Sequence, residues 1–246
     1  MEIAAGEFET FGTSHLVMLI VFALGIWPVV RIGRAHRDSD AAVRFSRAFA
    51  VAIPLFTLPL QIIDFTPGEF DFATTLPIQL CDLAWLAATY ALWTHRRFAV
   101  ALTYYWGLIL TSQGLFTPAL VNDFPSPKFI AFWGVHLLIV WAAIYLTWGL
   151  GLRPTWRGFR STVLVTLVWA VSVFTFNGIT GTNYGFLNRK PSTPSLLDLM
   201  GPWPVYVVVE IGVVLLVWAL ITWPWVSASR RREASAPHAA ASGGNS

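Results

Sequence analysis

The sequence predicts an all-α polytopic membrane protein: a bundle of seven transmembrane helices with the N-terminus outside and the C-terminus in the cytoplasm. Three observations predict it. Hydrophobic residues make up 56% of the 246-residue chain and charged residues only 12%, against about 25% charged in a soluble domain. The apolar residues gather into seven runs, each close to the ~20 residues a helix needs to cross a bilayer. Of the 16 Lys and Arg, 13 lie on one side of those runs, the side that the positive-inside rule assigns to the cytoplasm.

The first run, Ser14–Val30, follows Glu2, Glu7 and Glu9, with neither a basic n-region nor a small-residue cleavage site before it. It reads as a retained helix rather than a secretory signal. Arg31, Arg34, Arg37, Arg44 and Arg47 surround the link to the second run, Phe45–Ile63. An acidic loop with Glu69 and Asp71 leads to the third, Leu76–Trp93. Arg96 and Arg97 mark the turn into the fourth, Phe98–Ala119, and Asp123 and Lys128 the loop after it. The fifth, Phe129–Leu150, is followed by Arg153, Arg157 and Arg160 around the start of the sixth, Phe159–Asn177. A Pro-rich loop with Arg189 and Lys190 then reaches the seventh, Pro204–Trp225, which Arg230, Arg231 and Arg232 follow. An even number of spans would break this alternation.

Pro and Gly inside several runs are tolerated in lipid-embedded helices. The short links make sequential helices antiparallel neighbours, and 13 Trp suit a protein whose rings sit at both interfaces. The organisation is therefore an external segment 1–13, a transmembrane domain 14–226, and a Ser/Ala/Gly-rich tail 227–246 whose composition predicts disorder. The basic residues are scattered between apolar runs rather than gathered in one patch, so the pI near 9.3 reports topology and not nucleic-acid binding. No Walker loop, Rossmann fingerprint, HExxH motif or Cys cluster is present, so neither a metal nor a cofactor is expected. Lys128 and Lys190, the only lysines, lie at or beyond the outer boundary, which leaves no helix-borne Schiff-base Lys and excludes a retinal protein. Cys81, the single cysteine, cannot form an intrachain disulfide.

Depth follows from a rise of about 1.5 Å per helical residue. Gln79, Cys81 and Asp82 on the third run, His136 on the fifth and Glu210 on the seventh fall in the outer third of the membrane. The outward-running spans bring Gln61, Asp64, Gln113 and Asn177 to the same layer. Polar groups are costly in hydrocarbon, and a set gathered at one depth predicts a polar cavity opening toward the outer leaflet. Interhelical hydrogen bonds, about 0.6 kcal/mol each, are the alternative use of the same residues.

Cys81 and His136 are together the minimum for covalent acyl transfer: the thiolate attacks a carbonyl while the imidazole carries the proton. A place near a helix N-terminus favours the thiolate of Cys81. Asp82 has two readings at this stage, a favourable helix N-terminal charge or an orienter of His136. Glu210, in a Val/Ile/Leu run, must pair, protonate or face water, which makes a proton or ion site its sharp alternative.

The stretch Leu76-Pro77-Ile78-Gln79-Leu80-Cys81-Asp82 resembles the LPLHLC signature of the YwaF-like bacterial integral membrane proteins. The segment from Asn183-Tyr184-Gly185-Phe186-Leu187 to Arg189-Lys190-Pro191 is similar to that family's NYxYLxxKP loop. Ser195-Leu196-Leu197-Asp198 followed by Gly201-Pro202-Trp203-Pro204 resembles its SLLDxxGPWPWY motif before the last helix. The resemblance extends more loosely to the eukaryotic transmembrane acyltransferase of ether phospholipids and to the androgen-induced-gene serpentine hydrolases. It implies a bacterial plasma-membrane protein acting on a membrane lipid, with the nucleophile at Cys81 and the acid/base at His136. Gln79 departs from the signature, which has His there.

These observations predict a lipid acyltransferase or acyl-ester hydrolase. Cys81, His136 and Asp82 form its catalytic set, with Gln113 a further orienting or oxyanion-stabilising group. Gln79, Gln113, Asn177, Asn183, Tyr184, Arg189, Lys190 and Glu210 form its substrate-binding set. Arg189 and Lys190 either meet a lipid phosphate or pair with Asp198. The alternatives are a small-solute or proton transporter using Glu210, Asp64 and His136, and a lipid-binding protein without turnover. The sequence leaves the oligomeric state open.

Overall fold

The computed structural model describes residues 6–192 and 195–242; Glu2 and Pro194 lie outside them. Among the described residues the fold is all-helical, in seven helices. They are α1 (Thr13–His36), α2 (Asp40–Asp64), α3 (Leu80–Thr94), α4 (97–116), α5 (Pro127–Gly149), α6 (Trp156–Thr180) and α7 (Val205–Ser242). Helices α1, α2, α5, α6 and the Val205–Ser229 part of α7 are each long and apolar enough to cross a membrane. Pro28 in α1 and Pro54 and Pro59 in α2 do not break their helices.

The two remaining helices are irregular. Helix α3 has only 15 residues, about 22 Å at the usual rise, because the apolar run starting at Leu76 does not start as helix. Pro77 pushes Leu76 toward extended backbone, and the N–H of Gln79 donates to the Asp82 carboxylate at 2.9 Å, which fixes the helix start at Leu80. Helix α4 joins an α-helical stretch, Arg97–Tyr105, to a π-helical turn, Trp106–Thr111, and a last α-helical turn, Ser112–Phe116. Helix α5 also ends in a π turn, Tyr145–Gly149. Helix α7 runs on to Ser242, through residues whose composition suggests disorder; its Ala residues are strong helix formers.

One end of the bundle carries the α1–α2, α3–α4 and α5–α6 links and most of the arginines. There the guanidinium of Arg31 lies over Trp27, Arg47 over Trp93 and Arg153 over Trp225, 4.8–5.7 Å from the ring centres, pairings suited to a membrane–water boundary. The opposite end carries the three longer connections, and is called here the loop end. Its N-terminal segment is held by the α4–α5 loop, where Phe8 N–H donates to Val121 O at 2.8 Å, and α1 is tied to α4 by His15 Nε2–H, which donates to Leu115 O at 2.8 Å.

The core lies where α3, α4 and α5 meet, and small residues let the backbones approach. Ala84, Ala88 and Ala91 of α3 and Ala142 of α5 are buried there, the small-residue packing typical of membrane helices. A Cβ on Gly33 of α1 would sit 2.5 Å from the Cα of Gly149, so only glycine allows that contact. Two polar ties brace the arginine-rich end. His95 Nε2 is 2.9 Å from Ser46 Oγ, which donates to Tyr145 Oη at 3.1 Å, joining the α3–α4 turn to α2 and α5. Tyr105 Oη lies 2.6 Å from Thr222 Oγ1 and Trp225 Nε1–H donates to Tyr104 Oη at 3.2 Å, joining α4 to α7.

Candidate functional site

A cavity of about 600 Å³ lies between α3, α4, α5, α6 and α7, a volume typical of small-molecule and cofactor sites. Its walls follow helical spacing. Helix α4 contributes Leu110, Gln113 and Gly114, with Thr117 just past its end, α6 contributes Val163, Thr166, Leu167 and Ala170, and α7 contributes Val207, Glu210, Val214 and Trp218. Cys81 lines it from α3 and His136 from α5. Leu167, Val171 and Phe174 of α6 and Ile211 of α7 line the cavity and are also exposed on the flank of the bundle. The cavity therefore opens sideways between α6 and α7.

Cys81 and His136 lie at one level. Cys81 is 13 residues from Thr94, the last of α3, and His136 is 13 residues from Gly149, the last of α5. That puts both about 20 Å from the arginine-rich end. Among the described residues they make no hydrogen bond to each other. Cys81 is the second residue of α3, so its own N–H and that of Leu80 have no carbonyl one turn back to donate to.

His136 is 8% exposed and closely held. Its Nδ1 is 2.7 Å from the carbonyl oxygen of Phe132, and the Phe132 ring stacks on it at 4.1 Å. A carbonyl oxygen only accepts, so Nδ1 carries the proton and Nε2 the lone pair. Helix α4 meets the ring at a glycine: a Cβ on Gly114 would be 2.9 Å from both Cδ2 and Nε2.

Gln79, the N-cap of α3, accepts through Oε1 from the N–H of Gly185 at 2.8 Å and so ties the helix start to the α6–α7 loop. That loop lines the cavity through Gly185, Phe186 and Leu187. Gly185 has a left-handed φ of 66°, and a Cβ there would meet the Trp169 ring at 2.7 Å. Glu210 makes no ion pair among the described residues.

Asp82, expected as a possible orienter of His136, does not act so. Its carboxylate is engaged by Gln79 N–H, and the Phe132 carbonyl holds the imidazole instead. Asn177, Asn183 and Tyr184 do not line the cavity; they build the loop beside it. Asn177 is buried, donates from Nδ2 to Tyr184 O and Asn188 Oδ1, and accepts at Oδ1 from Tyr184 N–H and Thr182 Oγ1, all at 2.9 Å. Asn183 donates to Arg189 O at 2.8 Å. Tyr184, fully buried, donates from its hydroxyl to Phe72 O at 2.6 Å and accepts from Leu76 N–H at 3.1 Å.

Of the two loop cations, Arg189 donates to Gly181 O at 3.4 Å and Lys190 pairs with Asp198 at 3.5 Å. The Ser195 N–H and Lys190 hold the Asp198 carboxyl below its ordinary range. Gln61 and Asp64 are not part of the cavity wall either.

Thr111, Gly114, Thr166 and Trp169 line the cavity without having been singled out by polarity. The spacing of Leu110, Gln113, Gly114 and Thr117 is a helix-face signal present in the sequence. Thr111 falls outside that spacing and reaches the cavity from the end of the π turn, a feature common at functional sites. Among the described residues no group of three His, Cys, Asp or Glu is placed to hold a metal ion.

A family model described as the TMEM164 family matches residues 10–222. The chain belongs to the TMEM164 family. It is accordingly a multi-pass membrane protein, and the TMEM164 match spans every residue that lines the cavity. No curated protein and no solved structure matches the chain.

Proposed function

We propose that this TMEM164-family protein is an intramembrane acyl-transfer enzyme, which moves an acyl group from a lipid ester through a thioester on Cys81 to a hydroxyl of a second lipid or of water. The observation that carries the reading is one apolar cavity shared by a thiol and an imidazole whose uncommitted nitrogen is Nε2. The Leu76–Asp82 and Asn183–Pro191 motifs resemble those of the YwaF-like proteins, and the looser likeness of that family to a transmembrane acyltransferase and to serpentine hydrolases supports it. In this reading all seven helices span a bacterial plasma membrane with the N-terminus outside. The irregular α3 and α4 are spans completed by their loops, and the lipid reaches the site sideways between α6 and α7.

His136 Nε2 takes the proton of the Cys81 thiol, and Sγ bonds to the ester carbonyl carbon as the carbonyl electron pair moves onto oxygen. The first-turn N–H groups of Leu80 and Cys81, with the Gln113 amide, are the donors for that oxyanion. The intermediate collapses, the carbon–oxygen ester bond breaks, and the leaving alkoxide takes the proton from Nε2. The acceptor hydroxyl then gives its proton to Nε2 and attacks the thioester, the carbon–sulfur bond breaks, and Sγ recovers a proton.

The test is a purified sample in vesicles containing a phospholipid with a mass-labelled acyl chain. The native chain forms a hydroxylamine-sensitive acyl adduct and transfers label, while Cys81→Ala does neither. Label transfer unchanged in Cys81→Ala overturns the nucleophile assignment. The carboxyl group of Glu210 on the cavity wall, without an ion pair among the described residues, favours a second reading, a proton or small-solute carrier. Flux that disappears in Glu210→Gln, with no acyl adduct trapped in the native chain, decides for it.

A further inference from the structure

The cavity continues past the level of Cys81 toward the arginine-rich end. Its deepest residues are Val163 of α6 and Trp218 of α7. Val163 is only seven residues from Trp156, where α6 starts at that end, so this wall lies about 9 Å beyond the thiol. The intervening wall is apolar except for Thr166, with Leu110, Leu167, Val214 and Leu215.

Trp218 is a rigid stop. It is 1% exposed, and its indole packs on the ring of Tyr105 at 5.1 Å. Tyr105 is itself held by Thr222 at 2.6 Å. On the opposite wall, Trp106 Nε1–H donates to Thr166 Oγ1 at 2.8 Å and fixes α4 against α6. A chain entering from the thiol has no way onward without displacing this braced layer.

We infer that Trp218 is the length gauge of the site: an acyl chain lies along α6 and α7 with its carbonyl at Cys81 and its methyl end against the indole. The chemistry at the carbonyl rests on the acyl-transfer reading. The occupant does not, since an apolar slot with a closed floor selects a hydrocarbon chain of limited length whatever bond is broken above it. Chains that overrun the floor must turn out through the α6–α7 opening.

The experiment presents the full-length protein with phosphatidylcholines of graded acyl length and reads two quantities. One is the chain-length distribution of lipid retained by the protein in native mass spectrometry. The other is the distribution of acyl adducts on Cys81. Trp218→Ala moves the retained lipid toward longer chains and Val163→Trp toward shorter ones, with ratios changing about tenfold or more, the scale on which an apolar pocket discriminates a methylene. Trp218→Phe keeps the packing on Tyr105 and removes an N–H that lacks an acceptor among the described residues, so it folds and shifts the distribution little. Unchanged retained chain lengths in folded Trp218→Ala, or in folded Val163→Trp if the former does not fold, overturn the gauge. A shift in retained lipid with no adduct on Cys81 in any sample upholds the gauge and overturns the acyl-transfer reading.

Discussion

The Nδ1 atom of His136 lies 2.7 Å from the carbonyl oxygen of Phe132, one turn earlier in the same helix. This bond sets the tautomer, points Nε2 away from its own helix, and needs no carboxylate partner. It also makes the proton-carrying role of His136 testable apart from binding. His136→Gln lowers the rate of acyl-adduct formation by about 10²–10⁴-fold, the usual contribution of a general base, while the lipid retained by the protein stays the same. A rate within error of the native chain removes His136 from the mechanism.

Gly114 reports on the placement of that ring. Its missing Cβ leaves room that the imidazole uses, because a methyl there would be 2.9 Å from Nε2. Gly114→Ala should cut turnover about 100-fold through a displaced base with the thermal midpoint nearly unchanged, since Ala is the better helix former. Native turnover in Gly114→Ala would show that the ring has slack.

Asn177 is the keystone of the α6–α7 loop, with four hydrogen bonds at 2.9 Å from one buried side chain. Asn177→Ala leaves the Tyr184 N–H and carbonyl without those partners, and each buried unsatisfied group costs about 1–3 kcal/mol. The expected result is a lower unfolding midpoint together with earlier protease cleavage between residues 182 and 190. An unchanged midpoint contradicts this account.

His95, in the α3–α4 turn, gives a pH dependence of stability. Burial first and the charge of Arg47 second lower its pKa below the ordinary 6.5, and its Nε2 is engaged with Ser46. In the window between the lowered folded value and 6.5, the unfolded chain binds the proton more readily. Stability is therefore full above about pH 6.5 and falls as the pH drops toward the folded value. Midpoints measured across that range should fall less in His95→Gln than in the native chain; parallel curves would refute it.

The helical, membrane-crossing character was legible in the sequence because hydrocarbon demands long apolar runs and leaves the arginines between them. The helix starts were less so. The apolar stretch at Leu76 reads as span, yet the Pro77 backbone constraint and the Asp82–Gln79 bond move the helix start to Leu80. The same bond removed Asp82 from the candidate site, for a carboxylate beside its own N-cap amide satisfies it locally before any distant imidazole can.

Residue counting along each apolar run, by itself, determined a depth: it set Cys81 five residues on from Leu76 and His136 seven residues on from Phe129. Depth does not say which way a side chain faces relative to neighbouring helices. That was decided only by the tertiary structure, through close contacts at Gly114 and the alanines of α3, and through bonds such as Tyr184 to Phe72, 112 residues apart. The packing turned Gln79, Cys81, Gln113, His136 and Glu210 toward one cavity and left Asn177 inside the loop. The helical repeat fixes positions along an axis and around it, whereas the rotation of one helix against the next follows from packing between residues distant in the chain.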